Sequence, residues 1–364
     1  MKLILRSEPM SRRQELIQAI AAFANDTHLI DIYEKAKGKK LDSRVRILLY
    51  HRVNPVVLPW SGSYVVHPSL FQWQLEYIKK NYRVLKLEDA IASIMENRPF
   101  PARSVVLTID DGYKDTYDHA FPLLKKYEMP ATLFMNTEPL QTDRMYWFDE
   151  LYYRIWHARP MTLEIEGLGI FPLKADPRER VGIMLKISHI LRNVSPEARK
   201  PILTEIKGLT DVEIPVEVSR RMMLTWDNVR EMNKAGIKIG SHTVTHTILS
   251  AISANNMKTE ISESKRVLEE GLQQDIKFFA YPNGRCTDDI LEAVKAAGYQ
   301  AALTTRPQLV DSRANLFELG RILPGADMKS FRFFISGFFS EMYEVFKLLK
   351  RPMEKLRWER RNSD

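Results

Sequence analysis

Two apolar runs in this sequence end in side chains that can bind a metal ion. One run ends in the adjacent carboxylates Asp110 and Asp111, and the other ends in His242 and His246, four residues apart. Neighbouring ionised carboxylates repel each other unless a cation or a shared proton relieves the repulsion. One aspartate with two histidines suits Zn²⁺ or a similar divalent ion and leaves a coordination position open for water.

The runs that precede these side chains have the composition of buried strands. Residues 105–109 and 237–240 are short and rich in apolar, β-branched side chains, and Gly112 permits a sharp exit after the first run. Taken singly, each motif is more typical of a surface turn or of an isolated histidine. Both motifs together, each at the end of a strand, favour a metal site.

The rest of the chain alternates predicted strands with predicted helices, which is typical of a parallel α/β sheet or barrel. In such barrels the chemistry gathers at the carboxyl ends of the strands. A strand over residues 46–50 ends at His51, which we therefore expect at the same edge, although a histidine that only caps the strand is an equal alternative. The last predicted strand, residues 319–324, carries Arg321.

Three segments resemble the motifs of the polysaccharide deacetylase family, the NodB-homology group of carbohydrate esterases. They are Thr-Ile-Asp-Asp-Gly at 108–112, Ser-His-Thr-Val-Thr-His at 241–246 and Ala-Tyr-Pro-Asn-Gly at 280–284, in the family's order. The resemblance covers roughly residues 45 to 325. It implies an irregular (β/α) barrel and a metal-dependent hydrolase that removes N-acetyl groups from amino sugars.

The resemblance also implies roles for the first two motifs. Asp111, His242 and His246 would hold one divalent metal ion, Zn²⁺ with Co²⁺ or Ni²⁺ as alternatives, and the ion would activate a water molecule. Asp110 would be the catalytic base. Spacing alone allows the two aspartates to exchange these roles.

The third motif implies that a backbone N–H near Tyr281 and Pro282 stabilises the oxyanion. This motif departs from the family pattern at Ala280, where many members carry an arginine that holds the catalytic aspartate. Arg321 is our candidate to supply that charge, and a surface ion pair is its alternative role.

A second departure concerns the general acid, which must protonate the leaving amine. Many family members use a late histidine, but the sequence has no histidine after His246. We expect His51 to replace it. If neither replacement is real, the chain would be a weak or inactive relative.

The predicted organisation has three parts. Residues 1–43 form a helical N-terminal extension that contains a basic linker at 35–40. The barrel covers 44–325 and carries a helical insert at about 140–224. Residues 326–364 form an amphipathic, basic C-terminal helix and tail.

Two segments outside the motifs allow alternatives. The aromatic helix at 144–156 fits either an extra packing layer, which we favour, or a wall of the substrate groove. The aromatic and basic residues 331–361 fit either peripheral membrane contact or a helix docked on the barrel.

Composition adds limits to this interpretation. The chain has 364 residues, 45% hydrophobic and 27% charged, with a net charge of +8. The single cysteine, Cys286, excludes an intramolecular disulfide framework. No apolar run is long enough for a membrane span or a signal peptide, so we expect a cytoplasmic protein, peripheral at the inner membrane face if the C-terminal segment binds lipid. Charge alone does not support nucleic-acid binding.

The expected function is removal of N-acetyl groups from an amino sugar in a polysaccharide, an oligosaccharide or a lipid-linked glycan. The expected partner is therefore an N-acetylated glycan or glycolipid. Two alternatives stay open: a deformylase or other N-acyl hydrolase acting on a glycolipid, and a non-catalytic glycan-binding relative.

Overall fold

The computed structural model describes residues 12–56, 64–142, 144–220 and 222–345. The strands are β1 (Arg44–Tyr50), β2 (Arg52–Val53), β3 (Val65–Val66), β4 (Arg83–Val84), β5 (Ser104–Asp110), β6 (Thr132–Met135), β7 (Met161–Ile165), β8 (Gly169–Leu173), β9 (Lys238–Ser241), β10 (Phe278–Ala280), β11 (Ala301–Leu303) and β12 (Val310–Asp311). The helices are α1 (Arg12–Asp26), α2 (Leu29–Asp42), α3 (Pro68–Asn81), α4 (Leu87–Met95), α5 (Phe121–Tyr127), α6 (Glu138–Thr142), α7 (Trp147–His157), α8 (Pro177–Leu191), α9 (Pro196–Thr210), α10 (Val216–Arg220), α11 (Trp226–Lys234), α12 (Ala254–Leu272), α13 (Asp288–Ala296) and α14 (Met328–Ile335).

The central sheet is parallel and has the order β11-β10-β9-β6-β5-β1, with β12 antiparallel at the edge beside β1. Every residue of β5 is buried, because helices cover the outside of the sheet and side chains fill its inside. Since neighbouring strands are parallel, their carboxyl ends lie at one edge, and the predicted chemistry collects there.

Residues 319–322 connect the two sides of the curled sheet. Leu319 pairs with Leu303 of β11, and Ile322 pairs with Leu48 of β1. The Ile322 amide donates to the Ile47 carbonyl at 2.8 Å, and its own carbonyl accepts from the Leu49 amide at 2.9 Å. The segment predicted as a strand at 319–324 is thus reduced to single pairings, but it confirms the predicted irregular (β/α) barrel.

The insert between β6 and β9 contains helices and a β-hairpin. Strands β7 and β8 pair in an antiparallel register, with Leu163 opposite Phe171, and both side chains are buried against α7 and α8. The predicted helical insert therefore also contains a β-hairpin that was not predicted. The sequence signal for the hairpin is the alternation of apolar residues on either side of Gly167 and Gly169.

The N-terminal part of the described chain is helical without a break into a linker. Residues 35–40, predicted as a basic linker, lie inside α2, and Gly38 is tolerated there because nothing packs against it. A single glycine weakens a helix by about 1 kcal/mol relative to alanine but does not end it.

Two aromatic residues at the start of the predicted membrane segment, Phe331 and Phe333, pack inward. Phe331 contacts Trp73 and Tyr77 of α3, and Phe333 lies in a buried cluster with residues of α1 and α2 such as Ile30. Both phenylalanines are fully buried, so neither can insert into a membrane. Residues 346–361 of the predicted membrane segment lie outside the described residues. In the described part of the chain, no helix combines the length and apolar character that a membrane span needs.

Candidate active site

Four predicted site residues lie just beyond two strands at the carboxyl edge of the barrel. Asp110 ends β5 and Asp111 follows it, while His242 follows β9 and His246 lies in the next loop. Asp111 and His246 have φ angles of 77° and 57°, in the left-handed region that side chains other than glycine rarely adopt. Such strain costs of order 1–3 kcal/mol per residue and is concentrated at functional sites.

Asp111, His242 and His246 form a group whose ligand atoms all lie within 4.8 Å of one another. Asp111 Oδ1 is 3.5 Å from His242 Nε2 and 3.3 Å from His246 Nε2. The three atoms therefore face one common point, as the ligands of a single ion do.

The donor set fits a divalent cation. His242 Nδ1 donates to the Ala280 carbonyl at 2.6 Å, which leaves Nε2 with its lone pair directed at Asp111. Asp111 Oδ1 is buried and has no hydrogen-bond partner among the described residues. Lone pairs that face a buried carboxylate oxygen repel it, and a cation between them removes the repulsion.

Electrostatics in the cluster favour positive charge. Without a cation in the cluster, burial opposes ionisation of Asp111, but the imidazoles of His242 and His246 in their protonated form hold its pKa well below the ordinary value. Burial likewise opposes the charged form of His242, yet the carboxylates of Asp110 and Asp111 raise its pKa. The site thus attracts either protons or a metal ion.

Asp110 forms a bidentate pair with Arg321. Arg321 Nη1 and Nη2 donate to the two carboxylate oxygens at 2.7 Å each, and Nε donates to the Thr304 carbonyl at 3.0 Å. Both side chains are buried. Arg321 therefore supplies a charge to Asp110 from the segment that joins β11 to β1, whereas Ala280 occupies the family's usual arginine position.

His51 follows β1 and lines the same pocket as the aspartate pair. Its ring lies edge-on to the ring of Tyr64, with centroids 4.9 Å apart. Burial lowers the pKa of His51, although the carboxylates of Asp111 and Asp110 act in the opposite direction. The structure therefore brings His51 to the site in a setting that favours the neutral imidazole.

The predicted oxyanion donors do not fit their role. The Tyr281 amide donates to the Leu303 carbonyl at 3.0 Å as part of the β10–β11 pairing, and Pro282 has no N–H. The Tyr281 hydroxyl donates to the Phe317 carbonyl, also at 3.0 Å. Neither Tyr281 nor Pro282 can therefore supply the oxyanion N–H itself, because sheet pairing already uses the Tyr281 amide, and a donor elsewhere near them stays a prediction.

Two residues that support the metal ligands were missed from the sequence. Tyr146 donates to the Asp111 carbonyl at 2.5 Å and lies 2.7 Å from Asn136 Oδ1. The Asn136 amide nitrogen in turn donates to the His242 carbonyl. Asn136 directly follows β6, so its place at a strand end could have predicted that it lies at the site. No feature of the sequence indicated a role for Tyr146.

The loop between the two histidines is fixed from outside the site. Glu260 of α12 accepts from the amides of Val244 and Thr245 at 2.8 and 3.0 Å and from the Thr245 hydroxyl at 2.6 Å. Carboxylate bonds of this type are among the strong ones in proteins. They hold the His242–His246 spacing while His246 keeps its left-handed backbone.

The insert forms one wall of a pocket of about 300 Å³ over the site. Trp147, Phe148 and Tyr152 of α7 line it, and the Phe148 ring lies 5.6 Å from that of His246. Leu151 and Ile155 of the same helix are buried in the insert's own core. Helix α7 therefore both packs in the core of the insert and forms a wall of the pocket, whereas the sequence favoured packing alone.

A further carboxylate in this wall was not predicted. Asp149 lines the pocket and accepts a hydrogen bond from the Tyr113 hydroxyl at 2.8 Å. Burial raises its pKa from 3.8 to about 6, against the opposing charge of Arg52. Asp149 is thus a group that exchanges a proton near neutral pH.

Comparison with known proteins agrees with this geometry. The YxkH protein of Bacillus subtilis is 22% identical over 296 residues, 80% of this chain and 76% of its own. A poly-β-1,6-N-acetyl-D-glucosamine N-deacetylase of Staphylococcus epidermidis is 24% identical over 323 residues, 85% of this chain and 87% of its own. The Streptococcus pyogenes deacetylase PplD, solved in complex with acetate, has a TM-score of 0.53 at 23% identity and covers 78% of this chain and 92% of its own.

The family model for polysaccharide deacetylases matches residues 97–302, more than half of the chain. The chain therefore belongs to the polysaccharide deacetylase family, which confirms the resemblance of its motifs. It is a hydrolase that acts on carbon–nitrogen bonds outside peptides.

Proposed function

We propose that this protein removes N-acetyl groups from an amino sugar in a polysaccharide, an oligosaccharide or a lipid-linked glycan. The observation that carries the proposal is the buried Asp110–Arg321 pair beside the cluster of Asp111, His242 and His246. A staphylococcal relative that deacetylates poly-N-acetylglucosamine, similar over most of both chains, supports it.

The chain's own residues divide the work. Asp111, His242 and His246 would hold a divalent cation, Zn²⁺ or else Co²⁺ or Ni²⁺, which would supply a Lewis acid and make bound water more acidic. Asp110 lies beside this cluster, with Oδ2 3.8 Å from His242 Nε2. Arg321 keeps Asp110 oriented and compensates its charge, so that the carboxylate can take a proton from water.

Protonation of the leaving amine needs a second group in the pocket, because an amine anion does not leave. His51 is the candidate that both the sequence and its place in the pocket support. Because burial lowers its pKa, His51 has to gain the proton during the reaction. Asp149 is another pocket residue that can carry a proton near neutral pH.

Acetate release from N-acetylated oligosaccharides tests this proposal. The substrates are β-1,4- and β-1,6-linked N-acetylglucosamine oligomers, and the variants are Asp110→Asn and, as a surface control, Asp118→Asn. We expect the wild type and Asp118→Asn to release acetate, and Asp110→Asn to lose about 10²–10⁴-fold in rate. Release of formate in place of acetate from acylated glycolipids would favour the deformylase, and glycan binding without any acid release would favour a binding protein.

Membrane contact and cytoplasmic localisation stay predictions. The burial of Phe331 and Phe333 confines lipid contact to other parts of residues 331–361. A lipid-linked substrate would be consistent with such contact.

A further inference from the structure

The charged side chains that line the pocket fall into two groups. In the first group each arginine is paired with a carboxylate: Arg52 pairs with Asp115 at 2.7 Å, and Arg321 pairs with Asp110, as described above. Arg192 and Arg199 of the insert also line the pocket. Among the described residues, neither of them has a carboxylate oxygen within 4 Å.

Arg199 is the more deeply buried of the two. Only 6% of it is exposed, and its guanidinium carbon lies 4.4 Å from the centre of the Trp147 ring. Burial lowers the pKa of Arg199 to about 10, although Glu260 and Glu138 act against this from a distance. The stacking fixes the guanidinium plane and leaves its N–H edge available for an acceptor.

Arg192 lines the same pocket. It follows the last residue of α8, is half-buried, and its charge lowers the pKa of Tyr64, although burial raises that pKa overall. Tyr64 is the ring that contacts His51. The insert is held here by a further contact, because Arg285 donates to Asn193 at 3.3 Å. Arg192 therefore acts on the same tyrosine whose ring contacts His51.

We infer that Arg192 and Arg199 bind an anionic substituent of the substrate, a phosphate or a carboxylate carried by the N-acetylated sugar or by its neighbour. The inference rests on the proposed function and deepens it. A neutral sugar needs only uncharged hydrogen-bond partners, and burying a guanidinium without a counter-charge is costly. Planar arginine forks match the oxygens of phosphates and carboxylates.

Calorimetric titration of the full chain tests this inference. The probes are N-acetylglucosamine, its 1-phosphate, and a disaccharide of glucuronic acid and N-acetylglucosamine. The variants are Arg192→Gln, Arg199→Lys and the control Arg178→Gln/Lys200→Gln, which removes two exposed charges from the insert outside the pocket. Arg199→Lys keeps the buried charge, and Arg192→Gln changes a half-buried side chain, so that both are expected to fold.

We expect one of the anionic probes to bind at least about tenfold more tightly than N-acetylglucosamine, with an advantage that decreases in salt. Arg192→Gln should weaken binding of that probe by about 10- to 100-fold, the effect of losing a hydrogen bond between charged groups. The double control should change it by less than about threefold. Preference for the phosphate or for the uronate identifies the substituent.

Equal binding of neutral and anionic probes, unchanged by Arg192→Gln, would overturn the inference. Rapid acetate release from neutral oligomers, unaffected by salt and by Arg192→Gln, would also overturn it while leaving the deacetylase proposal intact. Conversely, arginine-dependent binding of an anionic probe, with no acid released from any substrate, would support the subsite and reject the deacetylase proposal.

Discussion

Replacement of Arg321 by methionine is predicted to destabilise the protein and to lower kcat. The change keeps much of the side-chain volume but removes both 2.7 Å bonds to Asp110. Asp110 would then be a buried carboxylate without its counter-charge. Breaking a buried ion pair from one side costs about 3–5 kcal/mol of unfolding free energy, and loss of an oriented base lowers kcat by about 10²–10⁴-fold.

A double-mutant cycle separates the interaction energy of the Asp110–Arg321 pair from the packing that each substitution removes. Asp110→Asn and Arg321→Met each leave one buried charge unpaired, whereas the double variant leaves none. We therefore expect the double variant to be less destabilised than the sum of the two single variants, with a coupling energy of about 2–3 kcal/mol. The free energies of unfolding are measured by urea denaturation, followed by tryptophan fluorescence.

A matched control comes from the exposed pair of Arg306 and Glu318, whose side chains are 40% and 32% exposed. Arg306→Met and Glu318→Gln should each cost less than about 1 kcal/mol and should add within about 0.5 kcal/mol. If the Asp110 and Arg321 variants were also additive, or if Arg321→Met retained full activity, our account of this pair would be refuted.

Two further predictions concern residues around the ligands. Tyr146→Phe removes the hydroxyl that donates to the Asp111 carbonyl and lies beside Asn136 Oδ1. The free energy of unfolding should therefore fall by about 1–3 kcal/mol and metal affinity by about 10–100-fold, as measured by chelator competition; unchanged affinity would contradict this. Between pH 4 and 6 the folded state keeps a proton on Asp149 that the unfolded chain has lost, because burial raises the pKa of Asp149 to about 6, so wild-type stability falls as the pH rises. The free energy of unfolding of Asp149→Asn should therefore exceed that of the wild type by near zero at pH 4 and by about 3 kcal/mol at pH 7. A difference in unfolding free energy that does not change with pH would refute the assignment.

Much of the candidate site could be predicted from the residues at the ends of the predicted strands. Asp110, Asp111 and His242 were placed together because parallel strands share one carboxyl edge. Arg321 was proposed because the family resemblance implies an arginine beside the catalytic aspartate, alanine occupies its usual position at 280, and Arg321 lies on a late predicted strand. These inferences rest on local patterns that have a direct structural consequence.

The remainder of the site depends on long-range packing that local patterns do not encode. Asp149 and Arg199 reach the pocket because the insert packs over the barrel. Their spacing in the sequence does not indicate that packing. The Tyr281 amide was misassigned because its use depends on which strand pairs with β10. The linker at 35–40 was misread because one glycine does not outweigh the helical preference of its neighbours.

Metal content tests the central claim most directly. The wild type, His242→Ala and the exposed-histidine control His189→Ala are purified, supplied with Zn²⁺ or Co²⁺, and analysed for bound metal, with acetate release assayed on the same samples. We predict about one ion per chain in the wild type and the control, as a single three-ligand site requires, and loss of both the ion and acetate release in His242→Ala. A wild type that binds no metal under these conditions, or a His242→Ala variant that keeps both, would contradict the account.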